Sequence, residues 1–126
     1  MYRFLAIIFF ASPLALPAAM AGFWEFIVDL GGLEIEVNCE FAENAGKLNG
    51  RCWSASGALR HDAAATGSVE GERVNVTYSF PSDRSRITFR FVGQSEPDSS
   101  LNGDFILTPG DGTAPSKGIF TAAKAR

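Results

Sequence analysis

The chain has 126 residues, with 11 basic and 14 acidic side chains, a formal charge of −3 and two cysteines. This length allows one domain. The mildly acidic balance, without a run of Lys or Arg, excludes the clustered basic surface on which nucleic-acid binding depends.

The first 21 residues have the order of a signal peptide. Arg3 precedes an apolar run, and Ala19-Met20-Ala21 supplies small residues at positions −3 and −1 of a cut after Ala21. A retained membrane anchor is the alternative, but two prolines interrupt the run and a spanning helix needs about 20 apolar residues. We therefore expect a periplasmic or secreted protein with no stable membrane span. Its mature chain, residues 22–126, has 10 basic and 14 acidic residues, a charge of −4.

After Gly22, apolar and polar residues alternate with a period of two, as in strands that bury one face. Residues 33–41 alternate without exception, and turn signals such as Gly31-Gly32 and Asn44-Ala45-Gly46 separate the runs. No run has the spacing of an amphipathic helix. The sequence predicts seven or eight short antiparallel strands, with the least defined stretch at residues 56–68.

A meander of this length must protect its edges, and closing the sheet removes them. We therefore predict an all-β fold, a small antiparallel up-and-down meander barrel. The apolar residues of this alternation are predicted to point into the barrel. They are Trp24, Phe26, Val28, Leu30, Ile35, Val37, Phe41, Leu48, Val74, Val76, Tyr78, Phe80, Ile87, Phe89, Phe91, Leu101, Phe105, Leu107 and Phe120. An eight-stranded barrel is filled by its side chains or holds one small ligand, and this Phe-rich set favours a filled interior.

Two hairpins predict where the cysteines lie. A two-residue turn at Gly31-Gly32 places Trp24 opposite Cys39, and one at Ala45-Gly46 places Cys39 opposite Cys52. The second pair is non-hydrogen-bonded, so its side chains are the closer ones. We expect a Cys39–Cys52 disulfide, since export leads to an oxidising compartment. A redox role would be typical of C-x-x-C spacing, which is missing.

Gly22-Phe23-Trp24 is similar to the G-x-W motif of the lipocalin/calycin superfamily, and the segments 46–50, 67–74, 100–103 and 118–122 resemble the hairpins of small bacterial lipocalin-like domains. The resemblance implies a barrel whose end is closed by Trp24, under a basic side chain from near the last strand, here Lys124 or Arg126. The chain is shorter than a typical lipocalin, which argues against a deep ligand cup.

The size, the single disulfide and the same motif also resemble the periplasmic inhibitors of bacterial metalloproteases. Those proteins insert a free N-terminal arm into the cleft of the enzyme. Here the expected mature chain enters its first strand almost at once, so that arm is missing.

Acidic residues project from the outer face of the first two predicted strands; they are Glu25, Asp29, Glu34, Glu36 and Glu40. Asp29 falls opposite Glu34, an unfavourable pair unless something compensates it. A hard cation bound by Asp29, Glu34 and Glu36, or a basic partner, would do so. The simpler interpretation is a solvated face, because surface charges are screened. For Glu40, the register offers Arg51 as an ion-pair partner.

Trp53 points outward if Cys52 points inward, in a row with Asn38 and Glu25, and Ile27 lies on the same outer surface. An exposed Trp beside an apolar residue can anchor a protein contact. Alternatively, Trp53 packs under the segment 56–68, since single outward apolar residues are common.

The sequence predicts no catalytic residue and no cofactor. Its single histidine, His61, lies in the least defined stretch, where we expect a solvated loop residue without a nucleophile or metal-spaced partners. The resulting hypothesis is a non-enzymatic binding domain of the bacterial cell envelope that contacts a protein partner through its outer surface. A carrier of a small apolar ligand at the barrel mouth is the alternative, and a protease inhibitor or an enzyme ranks below both.

Overall fold

The computed structural model describes residues 19–83 and 85–125. Residues 1–18 of the expected signal peptide, and Arg126, lie outside this part of the chain. Eight strands make up the fold: β1 (Gly22–Leu30), β2 (Leu33–Asn44), β3 (Lys47–Ser54), β4 (His61–Glu70), β5 (Arg73–Ser82), β6 (Ser85–Ser95), β7 (Leu101–Pro109) and β8 (Ser116–Lys124). A short 3-10 helix, Gly57–Leu59, precedes β4. No helix in the described residues is long and apolar enough to cross a membrane.

The strands form a closed antiparallel barrel in chain order. Each strand pairs with the next, and β8 pairs with β1, so that every strand has two neighbours. The predicted all-β up-and-down barrel is therefore confirmed, with eight strands. Alternation of direction places both ends of the described chain and the turns at 45–46, 71–72 and 96–100 at one end, which we call the Trp24 end. The turns at 31–32 and 110–115 and the segment 55–60 lie at the other, the His61 end.

The two N-terminal hairpins have the predicted register. Both turns have positive φ at their two central residues, Gly31-Gly32 and Ala45-Gly46, which suits a tight two-residue connection. Trp24 lies opposite Cys39 and Cys39 opposite Cys52. The cysteines form the expected disulfide, with their Cα atoms 4.1 Å apart.

Aromatic rings fill the barrel interior. Phe89 and Phe105 meet edge to face with centroids 4.8 Å apart, and Phe26 and Phe91 are 4.7 Å apart. All the predicted inward residues belong to this core or pack against it. Each buried side chain of this size contributes about 1.5–3 kcal/mol by leaving water, which is how a domain this small becomes stable.

Close strand packing requires glycine where β6 meets β7. Gly93 lies opposite Gly103, and a Cβ on Gly93 would fall 2.7 Å from the ring of Phe120. A Cβ on Gly103 would fall on the carbonyl oxygen of Val92. The paired glycines thus let the barrel curve while the Phe120 ring covers the space that their side chains leave.

The least defined stretch of the sequence is ordered, and one expectation there is wrong. Residues 56–68 contain the 3-10 helix and most of β4, and His61 is not a solvated loop residue but the first residue of β4, only 8% exposed. The pattern was hard to detect because the inward positions of β4 after His61 are occupied by Ala63, Ala65 and Gly67, whose small side chains give no strong alternation.

Candidate functional site

Two aromatic side chains meet on the outside of the barrel. Trp24 and Cys52 point inward, so their chain neighbours Phe23 and Trp53 point outward. The two outer rings meet edge to face with centroids 6.3 Å apart, and Phe23 remains 49% exposed. The guanidinium carbon of Arg51 lies 4.3 Å from the centroid of the Trp53 ring. We call Phe23, Trp53 and Arg51 the aromatic patch.

An ion pair holds Arg51 over the indole ring. Asp62 on β4 lies directly opposite Trp53, and Nη2 of Arg51 lies 2.7 Å from its Oδ2 atom. The hydrogen bond from Arg51 lowers the pKa of the Asp62 carboxyl. Glu40 lies opposite Arg51, as the register predicts, but the expected Glu40–Arg51 ion pair is wrong because the guanidinium bonds to the other neighbouring strand. Glu40 is thus left as an exposed carboxylate beside the patch.

Ile27 lies on the same outer surface as Trp53, as the alternation predicts, and is 38% exposed. The aromatic neighbour of Trp53 is Phe23, which sequence reasoning missed. The signal was available, because the alternation that buries Trp24 also turns Phe23 outward. Ile119 on β8, 60% exposed, adds a further apolar side chain to this side of the barrel.

A shallow surface groove adjoins the aromatic patch across β2, β3 and β4. It has a volume of about 560 Å³, and its lining includes the small residues Ala42, Gly50, Ala63 and Ala64. Charged side chains of Glu40, Arg51 and Asp62 also line it. The arrangement offers a partner an aromatic anchor point next to a depression with a charged rim.

The predicted acidic face is present on β1 and β2. Glu25, Asp29, Glu34, Glu36 and Glu40 are all exposed, and Asp29 lies opposite Glu34 as the register predicts. The backbone N–H of Gly32 donates a hydrogen bond to Oδ1 of Asp29 over 3.0 Å, so this carboxylate closes the turn. Within residues 19–83 and 85–125, no three or more His, Cys, Asp or Glu side chains are arranged to hold a metal ion. Asp29, Glu34 and Glu36 therefore do not form the cation site considered above.

His61 is enclosed in the barrel interior by aromatic rings. It stacks on Phe80 with centroids 4.1 Å apart and meets Phe89 edge to face. Its ring nitrogens contact the Leu59 carbonyl oxygen at 2.7 Å and the Tyr78 hydroxyl at 2.8 Å. Burial lowers the pKa of His61 and raises that of Tyr78. Both ring nitrogens thus serve contacts within the fold.

The Trp24 end brings together the residues of the G-x-W resemblance. Gly22 has a φ of +115°, and Trp24 is 3% exposed. Lys124 lies opposite Trp24 on β8, and its ammonium donates a hydrogen bond to the carbonyl oxygen of Ala19 over 3.4 Å. Of the two expected basic residues, Lys124 is therefore at this end, and Arg126 is not among the described residues. Met20, which sequence reasoning assigned to the leader, is 2% exposed here.

No protein-family model matches the chain. No curated protein and no solved structure matches it either.

Proposed function

We propose that this chain is an exported, non-enzymatic binding domain of the bacterial cell envelope, built as a lipocalin-like barrel. It contacts a protein partner through the outer face of β1, β2 and β3. The observation that carries the proposal is the aromatic patch, in which Phe23 and Trp53 meet on the outside of a barrel whose core does not need them.

The patch has the composition of a protein contact. Tryptophan and arginine are the side chains most often found at the energetic centre of interfaces, and Arg51 lies against Trp53. Since the ion pair with Asp62 holds that guanidinium in place, a partner would meet a surface that is already ordered. Binding then costs less side-chain entropy.

The charges around the patch select a basic partner. Four carboxylates of the acidic face lie near Ile27 on β1 and β2, and the fifth, that of Glu40, lies opposite Phe23. Glu40 lies beside the groove, and its expected partner, Arg51, forms its ion pair with Asp62 instead. Complementary charge speeds association and excludes acidic competitors. The partner we expect is a protein with an apolar or aromatic side chain flanked by Lys or Arg.

The disulfide supports a location outside the cytoplasm. Cys39 and Cys52 are bonded, which is consistent with an oxidising compartment. The signal-peptide pattern in residues 1–21 supports export on separate grounds.

Affinity capture from envelope extract tests the proposal. The bait chain is compared with its Trp53→Ala and Phe23→Ala variants, and with Leu33→Ala as the control, since Leu33 is 54% exposed but lies at the His61 end. We expect one protein to be captured by the parent chain and the control, lost with both aromatic variants, and released by salt. Identical capture by the parent and Trp53→Ala, or no specific capture at all, would overturn the proposal.

A carrier of a small apolar ligand is the second candidate. A notch of about 300 Å³ at the His61 end is lined by Leu33, Ile35 and Leu59, among others. Because aromatic rings fill the barrel interior, such a ligand would bind at the mouth of the barrel. Mass spectrometry of organic extracts of protein purified from its native envelope distinguishes the candidates, because a stoichiometric apolar compound would favour the carrier.

A further inference from the structure

The Trp24 end contains a socket that the chain fills with its own residue Met20. The side chain is 2% exposed and belongs to the hydrophobic core. Met20, Trp24, Val69 and Val74 border one small depression of about 100 Å³ at this end. The socket accepts an unbranched apolar side chain and covers it almost completely.

Polar groups from three strands bind the backbone beside this side chain. The indole Nε1 of Trp24 donates to the carbonyl oxygen of Met20 over 3.0 Å, and Oε1 of Glu43 accepts from the Met20 N–H over 2.8 Å. Lys124 donates to the carbonyl oxygen of Ala19. Two donors and one acceptor thus match the donors and acceptors of a peptide, which a purely apolar ligand could not satisfy.

The pairing of β1 with β2 stops short of the end of β2, next to residues 19 and 20. The last pair between β1 and β2 is Gly22 with Phe41, whereas β2 continues to Asn44. Residues 42–44 therefore extend past β1 on the side where Ala19 and Met20 lie. All eight strands fall within residues 22–124, so the barrel is complete without the segment that occupies the socket.

We propose that the Trp24 end is a binding site for a short extended peptide segment carrying an unbranched apolar side chain. Met20 of the same chain occupies this site until the leader is removed. The site is separate from the aromatic patch. Cleavage after Ala21, as the sequence predicts, removes Ala19 and Met20. It takes away the acceptor of Nε1 of Trp24 and uncovers the apolar surface on which Met20 packs. A peptide that restores the bond and covers this apolar surface again is therefore favoured.

Two forms of the chain test this site. One begins at Gly22 and the other at Ala19, and each is titrated with a labelled peptide of residues 16–21, Leu-Pro-Ala-Ala-Met-Ala. We expect the Gly22 form to bind the peptide and the Ala19 form to bind it at least about tenfold more weakly, because its own Met20 competes at a high effective concentration. The same peptide with Met20→Asp should not bind the Gly22 form.

Glu43 provides a matched pair of variants in the Gly22 form. Glu43→Ala should weaken peptide binding several-fold, whereas Glu70→Ala, which removes an exposed carboxylate at the same end of the barrel, should leave it unchanged. Equal binding by the two chain forms, or absence of binding to a folded Gly22 form, would overturn the proposal. Failure of the Gly22 form to fold would also overturn it, since Met20 would then be a permanent part of the core. So would a mass spectrum showing that the protein exported from the full-length chain retains Met20.

Discussion

The hydroxyl of Tyr78 donates a hydrogen bond to Nε2 of His61 in the barrel interior, with the two atoms 2.8 Å apart. The direction follows from the other ring nitrogen. Nδ1 lies 2.7 Å from the carbonyl oxygen of Leu59, and a carbonyl only accepts, so Nδ1 carries the proton and Nε2 is the acceptor. The neutral imidazole therefore joins the 3-10 helix at the His61 end to β5 in the wall.

Acid should destabilise the barrel through His61. Burial lowers the pKa of its imidazole below the ordinary 6.5, so above pH 6.5 the ring is neutral in both the folded and unfolded chain. Below that pH the unfolded chain takes up a proton that the folded barrel resists, and the free energy of unfolding falls until the pH reaches the lowered pKa.

Urea unfolding between pH 7.5 and 5.5 measures this effect in the parent chain and in His61→Gln, which keeps an acceptor but does not titrate. We expect the fall in unfolding free energy to be smaller in the variant. Parallel curves for the two proteins would contradict this assignment, because the carboxylates common to both would then explain the whole dependence.

Tyr78→Phe should lower the free energy of unfolding by about 1–3 kcal/mol, because it leaves Nε2 of His61 buried without a donor. A double-mutant cycle with His61→Phe isolates the pair, since the loss of the contact with the Leu59 carbonyl is common to the His61 single variant and the double variant and cancels. Additive losses in the cycle would show that the hydrogen bond contributes nothing of its own.

Loss of the disulfide should destabilise the barrel by about 3 kcal/mol in the chain-entropy model, given the short loop between the cysteines. The double variant Cys39→Ala/Cys52→Ala tests this by urea unfolding, because both positions are fully buried and alanine leaves no orphaned polar group. The parent chain measured with reductant is the matched control. Equal midpoints for oxidised parent and double variant would be the contrary result.

Gly103→Ala should cost about 1–3 kcal/mol, as overpacking does, because the added Cβ would meet the backbone of Val92 and Gly93. Gly71→Asn is the control, since Gly71 has open space around it and a φ of +62° that asparagine tolerates. Thermal unfolding of both variants provides the comparison. A Gly103→Ala barrel as stable as the control would mean that β6 and β7 separate more easily than this packing implies.

The sequence by itself determined the sheet. Alternation of period two identified most of the strands, although not β4, and the tight turns counted from Gly31-Gly32 and Ala45-Gly46 placed Cys39 opposite both Trp24 and Cys52. These relationships are local, because a two-residue turn fixes the register of the strands on either side of it. The same counting correctly turned Trp53 and Ile27 outward.

Only the tertiary structure decided which side chains meet across the barrel. Arg51 has carboxylates on both neighbouring strands and bonds to Asp62 rather than Glu40, and His61 is buried because Phe80 and Phe89 reach it from β5 and β6. Likewise, Met20 fills the Trp24 end although its sequence context is that of a leader. Such contacts depend on the curvature and closure of the whole sheet, and closure brings together residues whose separation along the chain carries no periodic signal.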